Sequence, residues 1–406
     1  MERRVVITGL GIWSCLGTNL DEVRQSLYSG KSGIIFSQAR KDAGFRSALC
    51  ADVPKADLKK YLSRDLRKLM PEEAQYGYLA TIQAMEHAKL DQDFLDQNEV
   101  GVIYGNDSVA EATMQALDKF RQAGSTAACG SGAIFQSMNS TVTMNLATLL
   151  HLRGINLTAS AACASGSHSV GLGYLLIKDG LQDCIICGGA QEANMFSVAS
   201  FDGLMAFSTR EDEPTKASRP FDRDRDGLIP GGGAATLVLE SYEHAVKRDA
   251  PILAEIVGWG FSGNGDHIST PNVAGPTRSL ELCLKNGGIN PRDIGYINAH
   301  ATSTHAGDGR EALAIANIFG DYRVPVTSTK SQTGHEMWMA GASELIYSLL
   351  MMKNDFIAGS LNFENPDDDT ACINVIPETR EAHFDMFLSN SFGFGGTNSS
   401  LIIKNL

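Results

Sequence analysis

Short apolar runs alternate with longer amphipathic stretches along the first part of the chain. Runs of four to six residues that are rich in Val and Ile are typical of buried strands, and apolar residues at helical spacing favour helices. On this basis strands are expected at 4–8, 99–104, 155–158, 183–187 and 235–239, with helices at 20–30, 72–90, 164–180 and 242–247. This alternation predicts an α/β fold with largely buried sheets.

The same alternation starts again after residue 250. Strands are predicted near 252–260, 295–298, 324–328, 372–376, 385–390 and 399–404, and helices near 277–286, 307–319 and 340–353. Both series open on an apolar strand that runs into Gly-x-Gly, at Gly9 and at Gly258. We therefore predict a duplication, with one half at 1–250 and the other at 251–406.

The first of these glycine pairs, Gly9 and Gly11, is expected to form a turn after the strand at 4–8. A dinucleotide site would need a third glycine and an acidic residue about 20 residues further on. The chain has neither at that spacing, so nucleotide binding is not expected there.

Composition and charge restrict the class of protein. The 406 residues include 47 Asp and Glu against 34 Lys and Arg, a net charge of −13, which disfavours nucleic acid as a partner. No uncharged apolar run reaches the ~20 residues of a membrane helix. The apolar run at 5–7 is too short for a signal peptide, so we expect a cytoplasmic protein without membrane insertion. The eight cysteines should then be reduced, and Cys184 and Cys187 should face opposite sides of one buried strand rather than bind a metal.

Cys163 has the most suggestive context in the chain. An apolar strand is followed by Ala159-Ser-Ala-Ala, then by Cys163, then by an amphipathic helix. A thiol at a helix N-terminus lies at the positive end of the helix dipole, which favours the thiolate and is expected to lower the cysteine pKa. Backbone N–H groups at such a turn can stabilise an oxyanion. The alternative is a small buried apolar residue, and this segment alone leaves both interpretations open.

Three downstream segments favour the nucleophile. His300 follows one predicted strand, Lys330 and His335 follow another, and the glycine-rich segment 392–396 joins the last two strands. Side chains beyond the carboxyl ends of strands in an α/β sheet tend to converge on one crevice. A cysteine, two histidines and a lysine would form a nucleophile with proton donors.

This ordered set resembles the β-ketoacyl-[acyl-carrier-protein] synthases of the thiolase superfamily, of the Cys-His-His type. The resemblance covers nearly the whole chain and is carried by Cys163, His300-x-Thr-Ser-Thr304, Lys330-x-x-x-Gly-His335, Glu344 and Asn390-Ser-Phe-Gly-Phe-Gly-Gly-Thr-Asn398. It implies a five-layered αβαβα fold built from two similar halves. The run Gly231-Gly-Gly-Ala looks more like synthase I than synthase II.

The family reaction is a decarboxylative Claisen condensation that lengthens a fatty-acid or polyketide chain by two carbons. The resemblance implies that Cys163 carries the acyl group and that the backbone N–H groups of Cys163 and Phe394 form the oxyanion hole. His300 and His335 would donate hydrogen bonds to the enolate of the malonyl group. Substrates would arrive on the phosphopantetheine of acyl carrier protein, and neither a cofactor nor a metal is expected.

Other residues match supporting positions of the family. Lys330 would tune His335 or the thiolate, and either Glu344 or Glu311 would be its carboxylate partner; a purely structural ion pair is the alternative. Thr302 and Thr304 match the residues that bind the phosphopantetheine arm, with local turn hydroxyls as the alternative. Phe394 matches the aromatic residue that gates the acyl pocket, where a core role is the competing interpretation.

The expected protein partners are an acyl carrier protein and a second synthase-like chain. Arg64, Arg67 and Lys68 lie where the family's docking helix would be, although a solvated charged face is the alternative. The family works as a dimer, so we expect a homodimer, or a heterodimer with a chain-length factor.

The segment after His335 departs from the family pattern. Trp338 and Met339 stand where the family keeps small residues, which indicates a specialised paralogue such as an aryl-polyene or type II polyketide ketosynthase. A thiolase would need a second cysteine in the segment 392–398, which has none, and His335 argues against the synthase III type. A chain-length factor would lack Cys163.

Overall fold

The structure is a computed structural model that describes residues 3–406. Its strands are β1 Val5–Trp13, β2 Ile34–Phe36, β3 Leu49–Ala51, β4 Val100–Gly105, β5 Asn156–Ala159, β6 Cys184–Gln191, β7 Gly233–Ser241, β8 Ala254–Gly263, β9 Tyr296–Asn298, β10 Pro325–Thr327, β11 Phe356–Ile357, β12 Asn374–Val375, β13 Arg380–Glu381, β14 Met386–Gly393 and β15 Thr397–Lys404. Its helices are α1 Leu20–Ser29, α2 Gln38–Asp42, α3 Arg64–Arg67, α4 Glu72–His87, α5 Gln92–Gln97, α6 Glu111–Ala123, α7 Ala133–Ser137, α8 Thr141–Leu149, α9 Ser165–Lys178, α10 Ala199–Gly203, α11 Tyr242–Lys247, α12 Ala274–Gly287, α13 His305–Phe319, α14 Lys330–Thr333 and α15 Ala340–Lys353.

The main sheet consists of two parts that have the same topology. Its order is β12-β10-β9-β14-β15-β8-β1-β7-β6-β4-β5, and a short antiparallel pairing of β1 with β8 joins the two parts. In the first part β5, β4 and β6 are parallel, and β6-β7 and β7-β1 are antiparallel. In the second part β10, β9 and β14 are parallel, and β14-β15 and β15-β8 are antiparallel. The identical order and direction of five strands in each part is the duplication that the fold prediction implied.

The apolar core contains three large clusters, here called slabs, which lie between the layers of the fold, and two smaller clusters. In one slab α4 and α8 pack on the first part of the sheet, and in another α12 and α13 pack on the second part. The slab between the two parts contains α9 and α15, which pack against each other. The order is therefore helix, sheet, helix, sheet, helix, and the predicted α/β thiolase-like fold is confirmed. The boundary expected between residues 250 and 251 falls in the connection from α11 to β8.

The glycine turn expected after residue 8 is wrong, because β1 continues through it to Trp13. Gly9 and Gly11 serve the packing of α4 instead. A Cβ at Gly9 would lie 2.2 Å from the carbonyl oxygen of Ala84, and one at Gly11 would lie 1.9 Å from that of Ala80. These glycines therefore allow a helix to approach a continuous strand.

Cys184 and Cys187 lie on β6 and are buried on opposite faces of the sheet, as their spacing predicts. Among residues 3–406, no helix has both the length and the apolar character that crossing a bilayer requires.

Candidate active site

Cys163 lies at a sharp elbow between β5 and α9. Ala162 has a φ of 45°, a left-handed conformation that is uncommon for a residue with a Cβ. Its backbone N–H donates to Oδ2 of Asp107 at 3.0 Å, and the Ser165 hydroxyl caps the same turn by donating to the carbonyl of Ala162 at 2.6 Å. These bonds hold the strained elbow and fix the direction of the thiol.

Two imidazoles from the second half of the chain meet this thiol. His300 follows β9 and His335 follows α14, both at the carboxyl ends of parallel strands. Sγ of Cys163 and one ring nitrogen from each histidine lie within 4.8 Å of one another. The two imidazole rings are 5.3 Å apart and almost perpendicular, at 88°. The structure confirms the prediction that these three residues lie close together.

The close crossing of α9 and α15 explains how residues so distant in sequence meet. A Cβ at Gly341 would lie 2.4 Å from the backbone nitrogen of Ser167, and a Cβ at Gly166 would lie 2.9 Å from that of Ala342. Because both crossing positions lack a side chain, the N-termini of the two helices come together. Cys163 precedes one N-terminus and His335 precedes the other.

Both imidazoles are held in the neutral form. Burial lowers the pKa of His300 and of His335 well below the usual range, and the positive charge of Lys330 lowers both further. Nδ1 of His300 and both ring nitrogens of His335 are buried without a hydrogen-bond partner among the described residues. Each neutral ring carries one N–H, so the pair can offer two donors to a group in the cavity.

The thiol does not have the lowered pKa expected from its place at a helix N-terminus. Burial raises the pKa of Cys163 to about 12, and it outweighs the opposing effects of Lys330 and of the backbone N–H groups of Phe394 and Cys163. The expectation is therefore wrong for the resting protein. The thiol is protonated at neutral pH and must lose its proton when it reacts.

Lys330 has Glu344 as its partner, which settles the choice between the two predicted carboxylates. Nζ of Lys330 donates to Oε1 of Glu344, and both side chains are buried. Burial raises the pKa of Glu344 to about 8 against the opposing charge of Lys330. The positive charge of Lys330 in turn lowers the pKa values of both histidines.

Glu311 binds backbone N–H groups instead of Lys330. Its carboxylate accepts the backbone N–H groups of His300 at 2.9 Å and of Ala301 at 2.7 Å. Nδ2 of Asn390 donates to the same carboxylate at 3.0 Å. Glu311 therefore fixes the backbone that carries His300.

Glu336 is a buried carboxyl group that sequence reasoning missed. It accepts hydrogen bonds from the hydroxyls of Ser343 at 2.5 Å and Tyr347 at 2.9 Å. Burial raises its pKa to about 7, although both hydroxyls and Lys330 oppose the shift. The sequence did contain a signal for this buried carboxyl group, because Glu336 is an acidic residue that directly follows His335 in an otherwise apolar segment.

The three residues open onto a cavity of about 410 Å³. Thr302 and Thr304 line it on the side of α13, and their hydroxyl oxygens are 3.2 Å apart. Phe392 and Phe394 line it from the turn between β14 and β15. The lining of the cavity therefore combines threonine hydroxyls with aromatic rings.

The two phenylalanines have different neighbours. Phe392 packs on His300, with ring centres 6.1 Å apart. Phe394 is 37% exposed and stacks on Phe201 at 6.0 Å, so it lies on the cavity rather than in the core. Gly395 and Gly396 both have positive φ, which turns the chain there and brings the N–H of Phe394 to the sulfur of Cys163.

The basic residues predicted for carrier docking lie on α3 and at its end. Arg64 and Lys68 are exposed, Arg67 is half-buried, and Lys68 pairs with Asp65 at 3.0 Å. None of the three lines the cavity. Their docking role stays a prediction.

The arrangement permits two kinds of chemistry. A thiol and two imidazoles can hold zinc, which binds the thiolate, or they can serve covalent catalysis. Two neutral imidazoles with free N–H groups beside a thiol in an aromatic cavity suit a carbonyl substrate, whose oxygen can take both hydrogen bonds. The expectation of no metal and no cofactor stays a prediction.

Sequence comparisons agree with this geometry. Residues 2–245 match the model for the N-terminal domain of beta-ketoacyl synthase, and residues 253–364 match the model for its C-terminal domain. Two curated relatives are 3-oxoacyl-[acyl-carrier-protein] synthase 1 of Haemophilus influenzae, 41% identical, and that of Escherichia coli strain K12, 39% identical. The alignments cover 99% of this chain and 99% of the first relative, and 100% of this chain and 99% of the second.

Solved structures share the fold over the whole chain. A beta-ketoacyl synthase from Burkholderia phymatum superposes with a TM-score of 0.96 at 36% identity, and the ishigamide ketosynthase/chain length factor superposes with 0.91 at 30%. Each match covers 100% of both chains. This chain belongs to the beta-ketoacyl synthase family.

Proposed function

We propose that the chain is a 3-oxoacyl-[acyl-carrier-protein] synthase, an acyltransferase that extends a carrier-bound acyl chain by two carbons in fatty-acid elongation. The observation that carries the proposal is the meeting of Cys163, His300 and His335 within 4.8 Å at the end of one cavity. A thiol can hold an acyl group, and two neutral imidazoles can stabilise an enolate. Relatives about 40% identical over the full chain support the reaction class.

The first half-reaction moves the acyl group to Cys163. Sulfur attacks the carbonyl carbon of an acyl-carrier thioester, the carrier sulfur leaves, and the proton of Cys163 ends on the carrier thiol. Because the Cys163 thiol is protonated at rest, proton transfer must accompany the attack, and a neutral imidazole within 4.8 Å can relay that proton. The N–H groups of Cys163 and Phe394, which act on this sulfur at rest, are placed to stabilise the oxyanion of the intermediate.

The second half-reaction makes the carbon nucleophile. Malonyl-carrier protein loses CO₂, and the electron pair of the broken bond moves into the thioester as an enolate. His300 and His335 each donate one N–H to the enolate oxygen. A protonated imidazole would be a stronger acid and could quench the carbanion, so the low pKa values of both rings favour carbon–carbon bond formation.

The carbanion then attacks the thioester on Cys163. A carbon–carbon bond forms and the carbon–sulfur bond breaks, which releases a 3-oxoacyl-carrier protein and returns the sulfur as a thiolate that takes up a proton. Lys330, whose positive charge favours the thiolate of Cys163, stabilises that thiolate, and its Nζ is held by a hydrogen bond to Glu344. Glu311 acts as a positioning residue through the backbone of His300.

The substrates are delivered on the phosphopantetheine arm of acyl carrier protein. The hydroxyls of Thr302 and Thr304 are adjacent and line the cavity, so they can bind the amides of phosphopantetheine. Phe394 lines the same cavity and stacks on Phe201, so it can gate the acyl side. Arg64, Arg67 and Lys68 form a local basic surface on an acidic protein, which suits an acidic acyl carrier protein.

The chain is proposed to work as a dimer in the cytoplasm, without a metal or cofactor. Strand β5 ends the main sheet, and its Leu157 is exposed. Helices α6 and α7 have no buried residue, and their exposed apolar side chains are Met114, Leu117, Phe120, Ile134 and Phe135. A free sheet edge and an apolar surface of this kind each favour pairing with a second chain. Because the full-length relatives include both synthases and a ketosynthase with a chain-length factor, a heterodimer is the alternative partner arrangement.

The test is a reconstituted assay with acyl-carrier and malonyl-carrier proteins. A decarboxylating synthase releases one CO₂ for each 3-oxoacyl product, whereas a thiolase releases none. Product without CO₂, or CO₂ release that never yields a 3-oxoacyl product under any acyl donor, would overturn the proposal. A specialised polyene or polyketide enzyme would show the same chemistry but would require its partner subunit for product formation.

A further inference from the structure

Trp338 is a large buried side chain next to the reacting thiol, and neither half-reaction uses it. It is 7% exposed and belongs to an apolar cluster with Cys163, Val198, Phe207, Leu228 and Met337. Its ring lies 6.3 Å from that of Phe201, which in turn stacks on Phe207 and Phe394. We call Phe201, Phe207 and Trp338 the aromatic wall.

The aromatic wall adjoins the cavity that receives the acyl tail, because Phe201 lines that cavity and packs against the cluster of Phe207 and Trp338. In the proposed function the carrier arm binds at Thr302 and Thr304, so the tail of an acyl group on Cys163 extends away from these hydroxyls. Phe201 and Leu228 line the cavity together with Cys163; Leu228 is a member of the apolar cluster that contains Trp338, and Phe201 packs against that cluster. An apolar tail prefers that side, and its length decides whether it reaches the indole.

The indole is held in place from two directions. Nε1 of Trp338 donates to the hydroxyl of Ser108 at 3.2 Å, and the adjacent Asp107 binds the backbone of Ala162 at the elbow. On the backbone side, a Cβ at Gly189 would lie only 2.5 Å from the carbonyl oxygen of Trp338. The backbone is therefore packed against β6 and α9, and the ring can leave its place only by rotation that breaks the bond to Ser108.

We propose that Trp338 limits the length of the acyl group that Cys163 can carry, so that the enzyme elongates short acyl chains in preference to long ones. The proposal rests on Cys163 being the acylated residue. A long tail would have to displace an anchored indole from a packed cluster, which costs packing and a hydrogen bond. A short tail ends before it.

The test compares acyl loading by mass spectrometry of the intact protein incubated with butanoyl- or hexadecanoyl-carrier protein. The wild-type protein is expected to load butanoyl faster. Trp338→Gly should shift the ratio of the two rates toward hexadecanoyl by about tenfold or more, the size typical of a steric limit in an apolar pocket. Ser108→Ala, which releases the indole without removing it, should produce a smaller shift in the same direction.

A matched tryptophan provides the control. Nε1 of Trp13 donates to the carbonyl of Pro54 at 2.7 Å, far along the chain from the thiol. Trp13→Phe should leave the loading ratio unchanged, whereas Trp338→Phe should shift it. If Trp338→Gly fails to fold, the Trp338→Phe and Ser108→Ala variants decide the question.

The outcomes separate this proposal from the function on which it rests. No loading of either acyl group by the wild-type protein would overturn Cys163 as the acyl carrier. Equal loading of both groups by the wild-type protein, or an unchanged ratio in the folded Trp338 and Ser108 variants, would overturn only the role of Trp338.

Discussion

At the scale of single residues, the separate roles of the thiol in acyl loading and of the imidazoles in enolate stabilisation can be tested. In His335→Ala one donor to the enolate is lost, so decarboxylation of malonyl-carrier protein should fall by about 10²–10³-fold, as for loss of one oxyanion donor. Acyl loading of Cys163 should fall much less, because backbone N–H groups stabilise its oxyanion and His300 remains to relay the proton of the thiol. Rates of CO₂ release and of acyl loading, measured separately, check this.

The control for this variant is His383→Ala, since His383 is an exposed histidine that pairs with Asp355 at the surface. It should leave both rates unchanged. Equal losses of loading and decarboxylation in His335→Ala would contradict the assigned role.

The raised pKa of Cys163 predicts a pH profile. A thiol with a pKa of about 12 has a thiolate fraction that rises about tenfold for each pH unit below that value. The rate of alkylation of the Cys163 peptide by iodoacetamide should therefore increase from about pH 7 to about pH 9 without a plateau. A plateau reached below about pH 8 would instead indicate a resting thiolate.

The residues of the site were more predictable than their environment. Cys163, His300 and His335 each follow a strand at a spacing that the sequence displays, so their convergence could be inferred. The thiol pKa could not, because the helix dipole is visible in the sequence whereas the depth of burial is not. For the same reason the sequence could not show that Lys330 pairs with Glu344 rather than with Glu311, or that Glu336 is buried.

At the scale of secondary structure elements, the crossing of α9 and α15 is what holds the site together. In Gly341→Ala the new Cβ meets the backbone of Ser167, so the helices must separate. We expect a loss of about 1–3 kcal/mol in the free energy of unfolding, measured by urea denaturation, and a fall in condensation rate, because Cys163 and His335 move apart.

Gly203→Ala is the matched control for this change. An added Cβ at Gly203 in α10 has nothing within 4 Å, so stability and activity should be kept. Wild-type stability together with wild-type activity in Gly341→Ala would show that the crossing is not what positions the two residues.

The longer elements with a buried apolar face were mostly predicted, but α8, which buries Val142 and Leu146, was missed. Helices α11 and α15 were predicted with the bounds that the structure has. Helix α6 has no buried residue, so no stripe facing the core marked it in the sequence. Gly9 and Gly11 were misread as a turn because a glycine needed for close helix packing looks the same in sequence as one needed for a bend.

At the scale of the whole molecule, the sheet edge at β5 and the apolar surface of α6 and α7 predict dimerisation. Charging that surface in the double variant Ile134→Lys and Phe135→Lys should convert the protein to a monomer in sedimentation equilibrium, because two buried lysines would oppose association. Val246→Lys changes an equally apolar, 53% exposed residue on α11 and should stay dimeric. A wild-type monomer, or a dimeric double variant, would contradict the proposed interface.

The duplicated topology explains why one cavity receives groups from both halves. The first half supplies the nucleophile at the N-terminus of α9, and the second half supplies the imidazoles at the carboxyl ends of β9 and β10. Neither half contains both the nucleophile and the imidazoles. The chemistry therefore depends on the packing of the two halves through the middle layer of helices.

The most direct measurement is the location of the acyl group after the protein is incubated with acyl-carrier protein alone. Proteolysis and mass spectrometry should find the acyl mass on the peptide that contains Cys163, and Cys163→Ala should acquire none. An acyl group on any other residue, or undiminished loading of Cys163→Ala, would contradict the condensing mechanism.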